Sequence, residues 1–168
     1  MQPHLIDVVF CVMWRKKKVA DKRQDIVKRL DKVFSTYIRL RDSFIRDWVR
    51  YVQCPLCWSI VPREKSQCMH FIKRVIMKYR FDEMNCHAGC YRCNVALHGN
   101  YIYYTRRMQM KYWLSQVDTM INDKQTYHRY NWELKDKINE YLEKIDEITW
   151  NNPKLTEKKK KLKQLALF

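Results

Sequence analysis

The sequence has no run of about 18 apolar residues, the length that a membrane-spanning helix requires. The nearest stretch is LIDVVFCVMW at residues 5–14, which Asp7 interrupts and which the basic run RKKK follows. A signal peptide would place its basic residues before the apolar run. We therefore expect neither a signal peptide nor a membrane anchor, and we expect the protein to act in the cytoplasm.

Acidic residues are few: the 168 residues include 18 Asp and Glu against 34 Lys and Arg, a formal net charge of +16. So basic a chain needs a polyanionic partner, and nucleic acid is the commonest, because each phosphate neutralised by Lys or Arg releases a counterion. An anionic membrane surface is the competing interpretation. With 46% hydrophobic residues the chain is too apolar to be wholly disordered, and its length fits one domain with terminal extensions.

Glycine is scarce, and both glycines, with two of the four prolines, fall between residues 54 and 99. Helical periodicity is lost in this stretch, and short apolar runs such as WSIV favour small strands. Gly89 and Gly99 lie where a chain that turns tightly around a metal ion needs positive φ. We predict a compact ββα-like unit organised by a metal ion.

Four of the seven cysteines form two Cys-x-x-Cys pairs, the spacing of a tetrahedral zinc site in which two tight turns each present two thiolates. An odd number of cysteines with this pairing favours a reducing compartment and a metal over disulfides. The predicted ligands of this structural zinc ion are Cys54, Cys57, Cys90 and Cys93.

The other three cysteines have no such spacing. The plainer interpretation of Cys11, Cys68 and Cys86 is that each is a small buried residue or an ordinary thiol. Cys68 and Cys86 lie between the two pairs and could offer rival ligands, which the paired spacing disfavours.

The segments on either side have the periodicity of amphipathic helices. Apolar residues recur mostly at threes and fours over residues 19–49, which predicts one helix, or two with a bend. Similar patterns surround Val117 and cover residues 134–148, and we expect these two helices to pack antiparallel. Asn131 is the candidate N-cap of the last helix, with Glu133 favourable in its first turn.

These patterns predict an α+β, mostly helical fold, in which a small zinc-stapled ββα-like finger lies between an N-terminal helix and a C-terminal helical pair. The segments are an N-terminal segment (1–18), an amphipathic helical region (19–53), the finger (54–105), the helical pair (106–150) and a basic tail (151–168). The tail has too few apolar residues for a core, and we expect a solvated arm.

Within the finger lies CMHFIKR, in which His70 opens a basic stretch with helical character. Its imidazole could take a proton from water near neutral pH, as the general base of phosphodiester hydrolysis does. Hydrolysis also needs a Lewis acid at the phosphate, and a four-thiolate zinc ion has no open position. We therefore expect a second divalent cation, Mg²⁺ or Mn²⁺, with candidate ligands Asn94, His87 and His98, although each alone is more often structural.

The order Cys-x-x-Cys, His, Asn, Cys-x-x-Cys-Asn resembles that of the HNH (ββα-metal) endonucleases whose finger is held by zinc. The resemblance implies that His70 is the general base, Asn85 its orienting partner and Asn94 a ligand of the catalytic cation. Many of these enzymes have Asp immediately before the base, where this chain has Met69, which cannot bind a hard cation. The cation must then be held otherwise, or activity is lost.

The flanking segments narrow the resemblance: LDKVFSTYIRLRD at 30–42, HFIKRVIMKYRFDEMNCHAGCYRCN at 70–94 and GNYIYY at 99–104. Together they resemble the NinG (Rap) family of phage lambda-type recombination proteins, over about residues 30–150. The resemblance implies a phage-encoded endonuclease that acts on branched recombination intermediates, such as Holliday junctions and D-loops, in a bacterial host cell. It also implies a site role for His87.

Basic residues on or beside the finger are expected to contact phosphates, which position DNA without reading its sequence. They are Arg39, Arg41, Lys73, Arg74, Lys78, Arg80 and Arg92. About half of them should instead pair with nearby acidic residues. Tyr101, Tyr103 and Tyr104 could stack on unpaired bases, with core packing as the plainer interpretation for each.

The partner is thus expected to be DNA, branched rather than linear, and symmetric cleavage of a four-way junction would favour a homodimer. Two alternatives stay open. One is a zinc-stabilised DNA-binding protein without catalysis, which Met69 favours. The other is a virion-associated protein that contacts the genome through its charge alone.

Overall fold

The structure, a computed structural model, describes residues 22–123, 125 and 127–149. The predicted N-terminal segment (1–18), Cys11 and the basic tail (151–168) lie outside these residues. The described elements are, in chain order, α1 (Arg23–Arg41), β1 (Ser43–Arg46), β2 (Val49–Gln53), β3 (Ile60–Pro62), a 3₁₀ turn (Arg63–Lys65), β4 (Gln67–His70), α2 (Met77–Arg80), β5 (Cys86–Gly89), a π-helical turn (Arg92–Ala96), α3 (Tyr101–Lys111), α4 (Leu114–Asn122) and α5 (Asn131–Thr149). The predicted α+β, mostly helical class is confirmed.

Two small antiparallel sheets carry the strands. β1, β2 and β3 form one sheet in that order, and β4 and β5 form a separate hairpin. In the hairpin Met69 lies opposite His87, and His70 lies opposite Cys86. Because successive side chains of a strand alternate between its faces, His70 and Cys86 share one face, and Met69 and His87 share the other.

The β4–β5 hairpin separates two hydrophobic cores. The first core joins α1 and α5 to one face of the hairpin, through residues that include Leu30, Phe34, Cys68, Cys86 and Tyr141. The second core joins the opposite face to the cysteine pairs, α3 and α4, through residues that include Met69, Cys90, Tyr104, Met108 and Val117. The hairpin is therefore buried on both faces, which fixes the side chains at its ends.

The predicted helix over residues 19–49, and the helical region to residue 53, continue too far. α1 ends at Arg41, and residues 43–53 form the β1–β2 hairpin instead. Asp47 and Trp48 form its two-residue loop with φ of 51° and 64°, and positive φ at both positions is the requirement of a type I′ turn. The side chain of Asp42 helps to end the helix, because its Oδ2 accepts a hydrogen bond from the Ala88 N–H at 2.7 Å.

The predicted C-terminal helical pair is also corrected. Val117 and Met120 of α4 pack in the second core with the cysteine pairs, whereas Leu134, Ile138 and Tyr141 of α5 pack in the first core against α1. α5 thus packs against α1, which is distant in sequence, whereas α4 packs with the preceding helix α3 in the second core. α5 begins at Asn131, which is therefore its first helical residue and not the predicted N-cap; the Tyr130 carbonyl accepts the hydrogen bond from the Leu134 N–H at 3.2 Å. Glu133 lies in the first turn as predicted, and its carboxylate accepts a hydrogen bond from the Tyr130 N–H at 2.5 Å.

His70 was expected to open a helical stretch, and this expectation is wrong. It is the last residue of β4, and the next helix, α2, begins at Met77. Among the described residues, no helix has the length and apolar character needed to cross a membrane.

Candidate functional site

The four cysteines of the two pairs converge as their spacing predicts. Their Sγ atoms all lie within 4.8 Å of one another, and the Sγ atoms of Cys57 and Cys90 are 3.6 Å apart. Tight turns present them: the Trp58 N–H donates to the Cys54 carbonyl at 2.9 Å, and the Asn94 N–H donates to the Cys90 carbonyl at 3.1 Å. The four Sγ atoms are therefore placed to hold one tetrahedral metal ion.

Neighbouring groups fit thiolate ligands. The Cys93 N–H donates to the Sγ of Cys90 at 3.4 Å, and the Asn100 amide donates to the Sγ of Cys93 at 3.8 Å. The Ser59 hydroxyl lies 3.0 Å from the Sγ of Cys57. Hydrogen bonds to sulfur stabilise the negative charge that a bound zinc ion requires of its ligands. This cluster can therefore hold the predicted structural zinc ion, and its soft ligand set selects zinc over Mg²⁺.

Gly89 serves the cluster through its size rather than through positive φ. It lies in β5, and a Cβ built on it would lie 2.4 Å from Cε of Met69 and 3.3 Å from Sγ of Cys54. The expectation of positive φ therefore fails at Gly89. It holds at Gly99, whose φ is +90°.

The imidazole of His70 is held at both nitrogens. Nε2 lies 3.1 Å from the Arg80 carbonyl, which can only accept, so Nε2 carries the proton and Nδ1 the lone pair. The Nε–H of Arg74 points at Nδ1 from 3.4 Å. Burial, followed by the charge of Arg74, lowers the pKa of His70 to about 4, so the ring is neutral at pH 7.

Asn85 acts on His70 through the backbone rather than through the ring. Its Oδ1 accepts from the Ile72 N–H at 2.6 Å, and its Nδ2 donates to the carbonyls of Ile72 and Tyr79 at 3.0 and 2.9 Å. The fully buried amide thus connects the start of the segment after β4, at Ile72, to Tyr79 within α2. The carbonyl that accepts from His70 belongs to Arg80, the residue after Tyr79. Asn85 therefore influences the orientation of the imidazole indirectly, through its hydrogen bond to Tyr79.

His87 lies on the opposite face of the hairpin, within the second core. Nδ1 is 3.0 Å from the Tyr104 hydroxyl, and Nε2 is 2.9 Å from Nζ of Lys111. Burial, followed by the charge of Lys111, lowers the pKa of His87 to about 4. Because the ammonium group of Lys111 can only donate, it already faces the lone pair that a metal ion would use.

The other candidate cation ligands lie on the segment after Cys93. Asn94 is half-buried on the π-helical turn, and His98 is exposed with a φ of 49°. Neither His87 nor His98 belongs to a cluster of metal-ligating Cys, His, Asp and Glu side chains in the part of the chain that the structure describes. Their role as ligands of a catalytic cation stays a prediction.

A second cluster of potential ligands does exist, and it includes His70. One ligand atom each from Cys68, His70 and Cys86 lie within 4.8 Å of one another. Sequence reasoning had mentioned the two cysteines only as rivals for the first site. The available signal was the i, i+2 spacing of Cys68 and His70, which puts both side chains on one face of a strand.

The seven candidate DNA-binding residues divide into two groups. Arg41 pairs with Asp42 at 2.7 Å, Arg80 pairs with Asp31 at 2.5 Å, and Lys78 pairs with Asp123, while Arg39 donates to the Ser35 carbonyl of its own helix. The other three side chains, those of Lys73, Arg74 and Arg92, are exposed.

Exposed aromatic residues lie elsewhere on the surface. Trp48, at the tip of the β1–β2 hairpin, is 95% exposed, whereas Tyr104 is a core residue. Tyr101 and Tyr103 are exposed, and the ring of Tyr101 stacks on Phe71 with centroids 5.4 Å apart. The plainer interpretation therefore holds for Tyr104, and two tyrosines remain accessible for base stacking.

We call the four-cysteine cluster of Cys54, Cys57, Cys90 and Cys93 and its two turns the metal knuckle. These features define a class: an α+β protein in which a metal knuckle supports a buried β-hairpin with histidine at the end of its first strand. Comparison with known families gives the particular family. The model of the family described as Bacteriophage Lambda NinG protein matches residues 12–151, and the chain belongs to this family. No curated protein and no solved structure matches the chain.

Proposed function

We propose that the protein is a metal-dependent DNA endonuclease that hydrolyses phosphodiester bonds in branched recombination intermediates, such as Holliday junctions and D-loops, in the cytoplasm of a bacterial host. Membership of the NinG family and a net charge of +16 support this proposal. The observation that carries it is the fixed tautomer of His70, which holds a neutral imidazole with its lone pair at Nδ1.

In the proposed reaction His70 is the general base. Nδ1 accepts a proton from water, the water oxygen bonds to phosphorus, and the bond from phosphorus to the leaving sugar oxygen breaks as that oxygen gains a proton. Arg74 points at Nδ1 from an exposed position, so a phosphate bound by its guanidinium would lie beside the base. Asn85 contributes by holding the segment that positions His70.

Charge on the phosphate requires a second divalent cation, for which we propose Mg²⁺ or Mn²⁺. Asn94 and His98 are the proposed ligands closest to solvent. His87 can take part only if Lys111 leaves Nε2, because the ammonium group and a metal ion would compete for one lone pair. Met69 adds no ligand, since it is buried in the second core.

We propose that Lys73, Arg74 and Arg92 make the first phosphate contacts, because the other four candidates have partners within the protein. Trp48 offers an exposed ring to an unpaired base at a branch point, where stacking is worth about 1–3 kcal/mol per base. A homodimer would supply the two active sites that symmetric cleavage of a four-way junction needs.

The test is incubation of the protein, loaded with one equivalent of zinc, with an end-labelled four-way junction and a linear duplex of the same arm sequence, with and without Mg²⁺ or Mn²⁺. We expect cation-dependent cutting of the junction by the parent and by His128→Ala, the matched histidine control, and none by His70→Ala. All three should bind the junction equally. Equal cutting by His70→Ala would contradict the assignment of the base.

The second candidate function is a zinc-stabilised DNA-binding or virion-associated protein without catalysis. The contact between Lys111 and His87 favours it, together with Met69 in place of an acidic ligand. If the protein prefers junctions over linear duplex even at raised salt, and cuts neither with any divalent cation, the DNA-binding alternative is supported. If the protein binds junction and linear duplex equally well, and this binding weakens steeply with salt, the virion-associated alternative is supported.

A further inference from the structure

Cys68, His70 and Cys86 form a cluster that the four-cysteine zinc site does not use. Cys68 and His70 are two residues apart on β4, and Cys86 lies directly opposite His70 on β5. The hairpin therefore presents all three side chains on one face, with one ligand atom each within 4.8 Å of the others. The Sγ atoms of the four-cysteine cluster lie within the same distance limit.

The chemistry of the three ligands is that of a zinc-class ion. Two thiolates and one imidazole are the protein ligands of one established type of catalytic zinc site, and they disfavour Mg²⁺ and Ca²⁺. Zinc–sulfur bonds of about 2.3 Å in a tetrahedron place neighbouring sulfur atoms about 3.8 Å apart. Ligand atoms no more than 4.8 Å apart therefore need to move little to bind a metal.

The cluster is buried at one end and partly exposed at the other. Cys68 and Cys86 are 4% and 0% exposed among aliphatic and aromatic residues of the first core. His70 closes the cluster at its partly exposed end, which gives an ion a route of entry. The Arg80 carbonyl lies at the same end, 3.1 Å from Nε2 of His70 and 3.9 Å from Sγ of Cys86.

We propose that Cys68, His70 and Cys86 form a second metal site, which binds one zinc-class divalent ion and leaves its fourth position to water. Within the part of the chain that the structure describes, no Asp, Glu, Cys or further His joins these three ligands. Three protein ligands with an open position are the arrangement of a catalytic rather than a closed structural zinc site. The proposal does not rest on the nuclease activity.

The test measures metal content and ligand type in the full chain, without DNA. Zinc titration against a chromophoric chelator should show two bound ions in the parent and one in Cys68→Val/Cys86→Val, whose apolar side chains preserve the first core. Val33→Ala, a comparable change of volume in the same core, is the matched control and should keep two ions. His70→Ala changes the partly exposed ligand and should also lose or weaken the second ion.

Cobalt substitution identifies the ligands. The difference between the Co²⁺ spectra of the parent and Cys68→Val/Cys86→Val should show the visible bands of a tetrahedral site with two thiolates and one imidazole. The same difference should be absent for Val33→Ala. The proposal would be overturned if the parent, like every variant, bound only one ion. It would also be overturned if mass spectrometry of the non-reduced parent found a Cys68–Cys86 disulfide. Neither measurement depends on DNA cleavage, so failure of the metal-site proposal can be distinguished from failure of the proposed nuclease function.

Discussion

At the scale of single residues, Gly89 shows how the metal knuckle and the hairpin depend on close approach. The side chain of Met69 and the Sγ of Cys54 fill the space that a Cβ at position 89 would occupy. A sequence can predict that glycine near a knuckle matters, but not whether the reason is φ or space, because the neighbours come from other strands. For Asn85, too, the motif indicates that the residue matters but not which atoms it contacts. Its hydrogen bonds to Ile72 and Tyr79 depend on the fold.

We expect Gly89→Ala to lower the free energy of unfolding by about 1–3 kcal/mol, the usual cost of overpacking a core. Urea denaturation of the zinc-loaded protein measures this change. In a Met69→Ala background, Gly89→Ala should cost less than it does in the parent, because the atoms nearest to the new methyl group are absent there. An unchanged urea midpoint for Gly89→Ala would contradict close packing of Met69 against position 89.

At the scale of elements, periodicity predicted the helices but not their ends or their partners. Leu40, Phe44 and Trp48 follow one another at intervals of four, yet only Leu40 is in a helix, while Phe44 and Trp48 are exposed on the β1–β2 hairpin. The local spacing could not reveal this, since the hairpin is stabilised by pairing of β2 with β3 farther along the chain. α4 and α5 were predicted as elements, but their burial in different cores depends on contacts distant in sequence.

Glu83, in the loop before β5, connects the helices α1 and α5 and gives a pH-dependent prediction. Its carboxylate accepts from the Tyr37 hydroxyl on α1 at 2.6 Å and from Nζ of Lys144 on α5 at 2.7 Å. Burial opposes ionisation, but the hydrogen bonds from Lys144 and Tyr37 outweigh it and hold the pKa of Glu83 below its ordinary value. This carboxylate therefore stabilises the fold above that ordinary value, and the contribution is lost as pH falls through the lowered pKa.

We expect Glu83→Gln to lower stability at pH 7 by about 1 kcal/mol, the scale of a hydrogen bond to a charged group at a partly exposed site. The difference from the parent should shrink as pH falls through the lowered pKa of Glu83, as thermal melts across pH would show. Glu140→Gln removes the more exposed partner of Lys144 and should have a smaller effect. A difference that grows on acidification would contradict the assignment.

At the scale of the whole molecule, the four-cysteine knuckle and the proposed second site divide the metal chemistry between the two faces of one hairpin. The knuckle ligands were predictable because Cys-x-x-Cys spacing is local. The cluster of Cys68, His70 and Cys86 was not, because it requires the register of β4 against β5. The contact between His87 and Lys111 was not predictable either, because it requires the packing of α3 against β5.

The two proposals meet at His70 and predict inhibition by zinc. A neutral imidazole has one lone pair, so a ring that binds a metal ion through either nitrogen cannot accept a proton from water at the same time. We expect a second equivalent of zinc to slow junction cleavage by the parent at least tenfold in saturating Mg²⁺, and to leave Cys68→Val/Cys86→Val unaffected. Equal inhibition of both proteins would place the inhibitory zinc elsewhere.

The most direct test of the nuclease proposal is the single-turnover rate of four-way junction cleavage by the parent and by His70→Ala, with one zinc equivalent and Mg²⁺ or Mn²⁺. We predict cutting by the parent and a rate about 10²–10⁴-fold lower for the variant, the usual contribution of a general base, with junction affinity unchanged. Tight junction binding by the parent without cutting in any divalent cation would contradict it, and would leave a DNA-binding protein supported by its metal knuckle.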